Sequence, residues 1–156
     1  SELTDLIEAA SLSPGKSGLL RAVLRAAREA VEPEEATEWL SHTEPRSYDT
    51  DTRIQAAEFL IEEDEAAQAA RWTEGPEAKL CIARARALLA DSRVGEAAEA
   101  YKTAVMADPS LKDQDLDEKL KQAQQAAKEF PAEPPRAVKG GTPELFPVPR
   151  KLQAGE

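Results

Sequence analysis

The sequence predicts an all-α protein made of three helical hairpins stacked in a row, with a capping helix at each end. Three observations lead there. Alanine, glutamate, leucine and arginine dominate, aromatics make up only 4% of the chain, and no Val/Ile/Thr/Tyr alternation marks a strand. Glu-Ala pairs recur at Glu35-Ala36, Glu65-Ala66 and Glu96-Ala97, spaced 30 and 31 residues apart. Each pair opens a stretch that closes on a proline, at Pro45, Pro76 and Pro109, spaced 31 and 33 apart. A period of that size is the signature of repeated helix–turn–helix units.

The first element is a helix in which Leu3, Leu6, Ile7 and Ala10 share one face, suited to cap the array. The stretch SLSPGKSGLL follows, and Gly15-Lys16-Ser17 matches the end of a phosphate-binding P-loop. The match goes no further. The first glycine of that motif would fall at Ala10, the preceding segment is helical, and no strand ending in aspartate follows. Ser13-Pro14-Gly15 therefore reads as a helix breaker, with Ser17 as cap of the next helix.

That helix, 17–31, carries two adjoining apolar stripes: Leu20, Leu24, Ala27 and Val31, then Leu19, Val23, Ala26 and Ala30. Arg21, Arg25 and Arg28 fill the narrow face left over. A surface helix needs one apolar stripe, so this one is expected to pack on two or three sides. Its partner is PEEATEWLSHTEP. The second unit pairs a helix over 51–62, with Ile54, Ala57 and Ile61 on one face, with DEAAQAARWTEGP. The third pairs a helix over 77–90, with Ala78, Cys81, Ala85 and Leu88 on one face, with DSRVGEAAEAYKTAVMADP. Trp39, Trp72 and Tyr101, one per unit, are placed to fill the gaps between hairpins. Leu116, Leu120, Ala123, Ala127 and Phe130 then form one apolar seam with a polar back, as expected of the second capping helix.

The stretch GEAAEAYKTAVMADPS resembles the second half of a tetratricopeptide repeat, with Ala97, Tyr101, Ala104 and Pro109 at the small, aromatic, small and proline positions of that family. Ala85 falls where the family's first helix needs a small residue. Cys81 and Arg84 replace its usual tryptophan and leucine, and the two earlier units are shortened. The resemblance covers roughly residues 17–110. It implies a right-handed solenoid whose concave face, lined by the first helix of each hairpin, receives a peptide or partner domain. Carried onto this chain, it turns the stripe of Arg21, Arg25 and Arg28, with Arg86 equivalent to Arg25, into that groove. The arginines then either form a basic strip for an acidic partner segment or pair with Glu29, Glu58 or neighbouring carboxylates. Family members that clamp chaperone C-termini use asparagine in the groove, and this chain has none.

Residues 1–130 thus read as one helical repeat domain. Residues 131–156, rich in proline and glycine and without periodicity, read as a linker or tail in which only ELFPVP is apolar. A chain starting at Ser1 fits a processed protein or an excised fragment, with a further domain after Glu156.

The chemical inventory is sparse. His42 is the only histidine and Cys81 the only cysteine, so no metal site, catalytic residue or cofactor site is expected. A formal net charge of −10 argues against duplex nucleic acid and anionic membranes as partners, and no apolar run is long enough to cross a bilayer. A lone cysteine suits a reducing, cytoplasmic setting. The expected function is a non-enzymatic protein-interaction module. The alternative is an N-terminal regulatory or adaptor domain of a larger enzyme, such as an AAA+ ATPase, joined through the tail.

Overall fold

The structure is a computed structural model of the chain and describes residues 1–129. Phe130 and the 131–156 tail, with its linker role and its LFPVP patch, lie outside the described residues. Among the described residues every regular element is helical. They are α1 (Glu2–Leu12), α2 (Ser17–Glu29), α3 (Glu34–Ser41), α4 (Thr50–Glu62), α5 (Ala66–Trp72), α6 (Ala78–Ala90), α7 (Val94–Ala107) and α8 (Gln114–Glu129). Short 3₁₀ turns occupy Pro45–Ser47 and Pro109–Leu111. Ser1 to Gln122 form one compact body, and α8 continues past its end.

Within the body from Ser1 to Gln122, α2 packs on α4 and α4 on α6, so the three first helices are successive neighbours. α5 packs back on α4 and forward on α6, and α7 packs on α6. The second and third hairpins turn in the same way. Each first helix ends in a residue at φ 62°, Asp64 after α4 and Ser92 after α6. In each, the next amide N–H reaches back to the end of the helix: Glu65 to the Leu60 carbonyl at 2.7 Å, and Arg93 to the Leu88 carbonyl at 2.8 Å. This is the Schellman closure, which satisfies carbonyls that the helix itself leaves open.

The first hairpin departs from that scheme. α2 ends at Glu29 through the extended Ala30, without a left-handed residue, and its larger contact is with α1 and not with α3. Val31, expected on the apolar stripe of α2, lies beyond its end and is 97% exposed. The rest of the two-stripe reading holds: Leu20, Val23, Leu24 and Ala27 are buried, and α2 touches α1, α3 and α4.

The core runs through Leu3, Leu20, Leu24, Leu40, Phe59, Leu60, Trp72, Leu88 and Leu116. On α4 Ala57 is buried as expected, together with Thr52, Arg53, Ala56, Phe59 and Leu60. Ile54 and Ile61, expected there with Ala57, are only half-buried. Trp72 is fully buried, donates its indole N–H to the Leu40 carbonyl at 3.4 Å, and meets the Tyr48 ring at 5.9 Å. Trp39 and Tyr101 are half-buried. Cys81 is buried with Ile82 and Ala104. On α8, Leu116 and Leu120 are buried.

The turn at Ser13-Pro14-Gly15 has a packing role. Gly15 sits at φ 86°, and a Cβ on it would lie 3.1 Å from the Ser47 carbonyl oxygen. Glycine is required by both the angle and the approach. Ser17 does not cap α2: Lys16 holds the cap position, and the Ser17 hydroxyl accepts from the Asp49 N–H at 3.4 Å. The sequence cue for a cap is local, whereas the nearby start of α4 offers this hydroxyl a competing donor.

Three arginines close the short second helices. Arg71 of α5 donates to the Leu40 and Thr43 carbonyls at the end of α3, at 2.6 and 3.1 Å. Arg53 of α4, itself buried, donates to the Trp72 carbonyl at 3.2 Å and to that of Glu74 past the end of α5. Arg84 of α6 donates to the Ala70 carbonyl at 3.1 Å. A cation at a helix C-terminus is favoured by both the open carbonyls and the helix dipole.

Candidate functional site

All four arginines singled out by the sequence lie on α2 or α6, and the fold engages three of them between elements. Arg21 donates to the Thr52 hydroxyl at 2.8 Å and lies 3.9 Å from Asp49. Arg28 donates through Nε to Glu62 at 3.0 Å and stands 5.8 Å from the centre of the Phe59 ring. Arg86 donates to Asp113 at 2.7 Å. Arg25 is exposed and makes no ion pair among the described residues. The carboxylates engaged are Asp49, Glu62 and Asp113, while Glu29 and Glu58 pair with none of the four.

Asp113 is a junction. One carboxylate oxygen accepts from Arg86 and the other from the Leu116 N–H at 3.2 Å, which caps α8. Its backbone N–H donates to the Tyr101 hydroxyl at 3.1 Å, and that hydroxyl donates to the Asp113 carbonyl at 3.3 Å. The Arg86 hydrogen bond, then the Leu116 N–H, hold its carboxyl below the usual value of 3.8. Asp49 is lowered too, first by the side chain of Thr52 and then by its N–H.

Next to this junction a groove of about 410 Å³ lies between α4, α6 and the start of α8. Ile61, Leu89 and Leu116 supply its apolar part. Its rim carries Glu58, Glu62, Asp113 and Asp115 against Arg86 and Lys119, so the rim is acidic by two charges. Lys119 is itself paired with Asp115 at 3.1 Å. The half-buried state of Ile61 and Leu89 now has a setting: they line an open groove at the border of the core. Sequence reasoning missed Leu89 and Asp113 here. A half-buried leucine one position past Leu88 was the available signal for the former. For Asp113 the available signal was an aspartate at the start of a helix, while its contacts with Arg86 and Tyr101 depend on distant elements.

Among the described residues no cluster of His, Cys, Asp or Glu is arranged to hold a metal ion, and no helix is long and apolar enough to cross a membrane. His42 pairs on the surface with Glu38 at 2.9 Å. Comparison with protein-family models, with curated proteins and with solved structures gives no match.

Proposed function

We propose that this chain is a non-enzymatic, TPR-like protein-interaction module that receives a partner polypeptide on the α2/α4/α6 face. The observation that carries the reading is the groove at Ile61, Leu89 and Leu116, an apolar recess opening on the row of first helices. Exposed apolar recesses with polar rims are where partner side chains anchor. A purely acidic ligand is a weaker fit than the sequence suggested. It would compete with Asp49, Glu62 and Asp113 for three of the arginines, and only Arg25 offers an uncommitted guanidinium. Apolar anchoring in the groove, with Arg25 as a peripheral charge contact, is the mode that these residues support.

A photo-crosslinking amino acid at Leu89, in the full-length protein in its own cells, tests this directly. The expected result is a crosslink to a second polypeptide that is lost when Ile61 is changed to glutamate. The same probe at exposed Met106 of α7 is expected to give none. Equal yields at Leu89 and Met106 would overturn the reading. The triple variant R21A/R25A/R28A is expected to lower the Leu89 yield less than Ile61→Glu does.

A further inference from the structure

Away from that face, a polar pocket of about 300 Å³ is lined by Glu44, Pro45, Arg46, Arg53, Arg71 and Glu74. We propose that this pocket binds a phosphate group through Arg46, Arg53 and Arg71. Three arginines from three elements line it: Arg46 from the 3₁₀ turn, Arg53 from α4 and Arg71 from α5. None of them forms an ion pair with a described residue. Three arginines against two carboxylates in one recess, with no ion pair formed among them, are unusual on a chain of formal net charge −10. Arg53 is the telling member, because it is only 8% exposed yet its charge meets no carboxylate.

The donors are both anchored and available. A guanidinium carries five N–H bonds. Arg53 spends one at Nε on the Trp72 carbonyl and one at Nη2 on the Glu74 carbonyl, and its Nη1 is uncommitted among the described residues. Arg71 spends one each at Nε, Nη1 and Nη2 on Gln68, Thr43 and Leu40, which leaves a second hydrogen on each Nη. The carbonyl bonds fix the two planes in advance, and the remaining N–H bonds suit the oxygens of a phosphate. Arg46 is exposed and completes the set from the rim. Two carboxylates oppose it. That of Glu44 is turned to the Arg46 backbone N–H at 3.0 Å, while exposed Glu74 has no side-chain hydrogen bond among the described residues. The balance is three cations against two anions, and Glu74 sets a threshold that the ligand must exceed.

The test is a titration with inorganic phosphate at constant ionic strength, read by NMR at the arginine Nε–Hε groups. Arg46, Arg53 and Arg71 are expected to shift together and saturate, with Arg25 as the unresponsive control. Arg46→Gln, on an exposed side chain that leaves the fold intact, is expected to weaken binding about fivefold, the scale of an exposed charge contact. Glu74→Gln is expected to tighten it. A second titration uses a capped phosphoserine tripeptide. Tighter binding of the tripeptide makes a phosphorylated protein the source, tighter binding of the inorganic ion makes it a small molecule, and both outcomes support the site. Non-saturating shifts shared with Arg25, or an affinity unchanged in both variants, would overturn it.

Discussion

Asp64 and Ser92 hold the same left-handed backbone conformation, φ 62° in each, at the same step of two successive helix-to-helix turns. The two residues are chemically different but do one job: each reverses the chain so that the following N–H can close the helix behind it. A left-handed residue with a Cβ is strained unless its side chain bonds locally, which aspartate does better than most. Ser92→Gly is therefore expected to raise stability by about 0.5–1 kcal/mol, and Asp64→Gly by less. Urea midpoints of the two variants measure the difference, and equal gains would count against the strain argument.

Gly75→Ala acts in the opposite direction. Gly75 sits at φ 152°, and a Cβ there would lie 2.8 Å from the Leu80 Cδ1 atom of a fully buried side chain. Strain and overpacking together are expected to cost about 1–3 kcal/mol. Gly18→Ala is the matched control. Its Cβ would meet nothing within 4 Å, so helix propensity alone should stabilise α2 by up to about 0.5–1 kcal/mol. Thermal unfolding of the pair reads both signs at once.

Arg71→Ala leaves the Thr43 carbonyl without a donor and takes one from the Leu40 carbonyl, which keeps the Trp72 indole and the Thr43 N–H. The expected loss is about 1–3 kcal/mol, the scale of an unsatisfied part-buried polar group. Arg71→Lys should recover little of it, since an ammonium cannot span two carbonyls as the planar fork does. Denaturant unfolding of the two variants against the parent chain checks the ranking.

Acid should weaken the α6–α8 junction through Asp113. Its carboxyl is held below 3.8 in the folded chain, foremost by Arg86 and next by the Leu116 N–H. A lowered folded value means that the stabilisation is complete above the unfolded value of 3.8 and is lost as pH falls through the folded one. Asp113→Asn should therefore be less stable than the parent near neutral pH, and the gap should close as pH falls below 3.8 and through the lowered folded value. A gap that stays constant over that window would show that the ion pair is not its source.

Much of the chain was legible because its signals are local and periodic. Helical spacing located α2, α4 and α6 to within two residues at each end, and the Glu-Ala and proline periods marked the units. Cys81 was recognisable as core from its apolar stripe, and Trp72 as the one large aromatic of its unit. What escaped depends on partners distant in sequence. The sequence left Arg21 either in a basic strip or paired with Glu29, Glu58 or a neighbouring carboxylate, and its partners Thr52 and Asp49 come from the start of α4. Arg53 and Arg71 stood out in no pattern, because the carbonyls they reach belong to other helices. The end of α2 was placed two residues late, since Val31 continues the apolar period although the backbone has already turned extended at Ala30. Of the predicted arginine stripe only Arg86 lines the groove, and its apolar part needed the spacing of three helices to be seen.

The arginine closures also govern how the array comes apart. At 8 and 7 residues, α3 and α5 are each shorter than the about 12–15 residues at which an isolated helix becomes marginally stable in water. α3 is closed by a residue of α5, and α5 by residues of α4 and α6. Neither can fray without releasing bonds to other helices, so the middle of the protein is expected to open as a single foldon in place of independent modules. Native-state amide exchange should therefore find the slowest protons of α3 and α5 moving with those of α4, at one shared opening free energy.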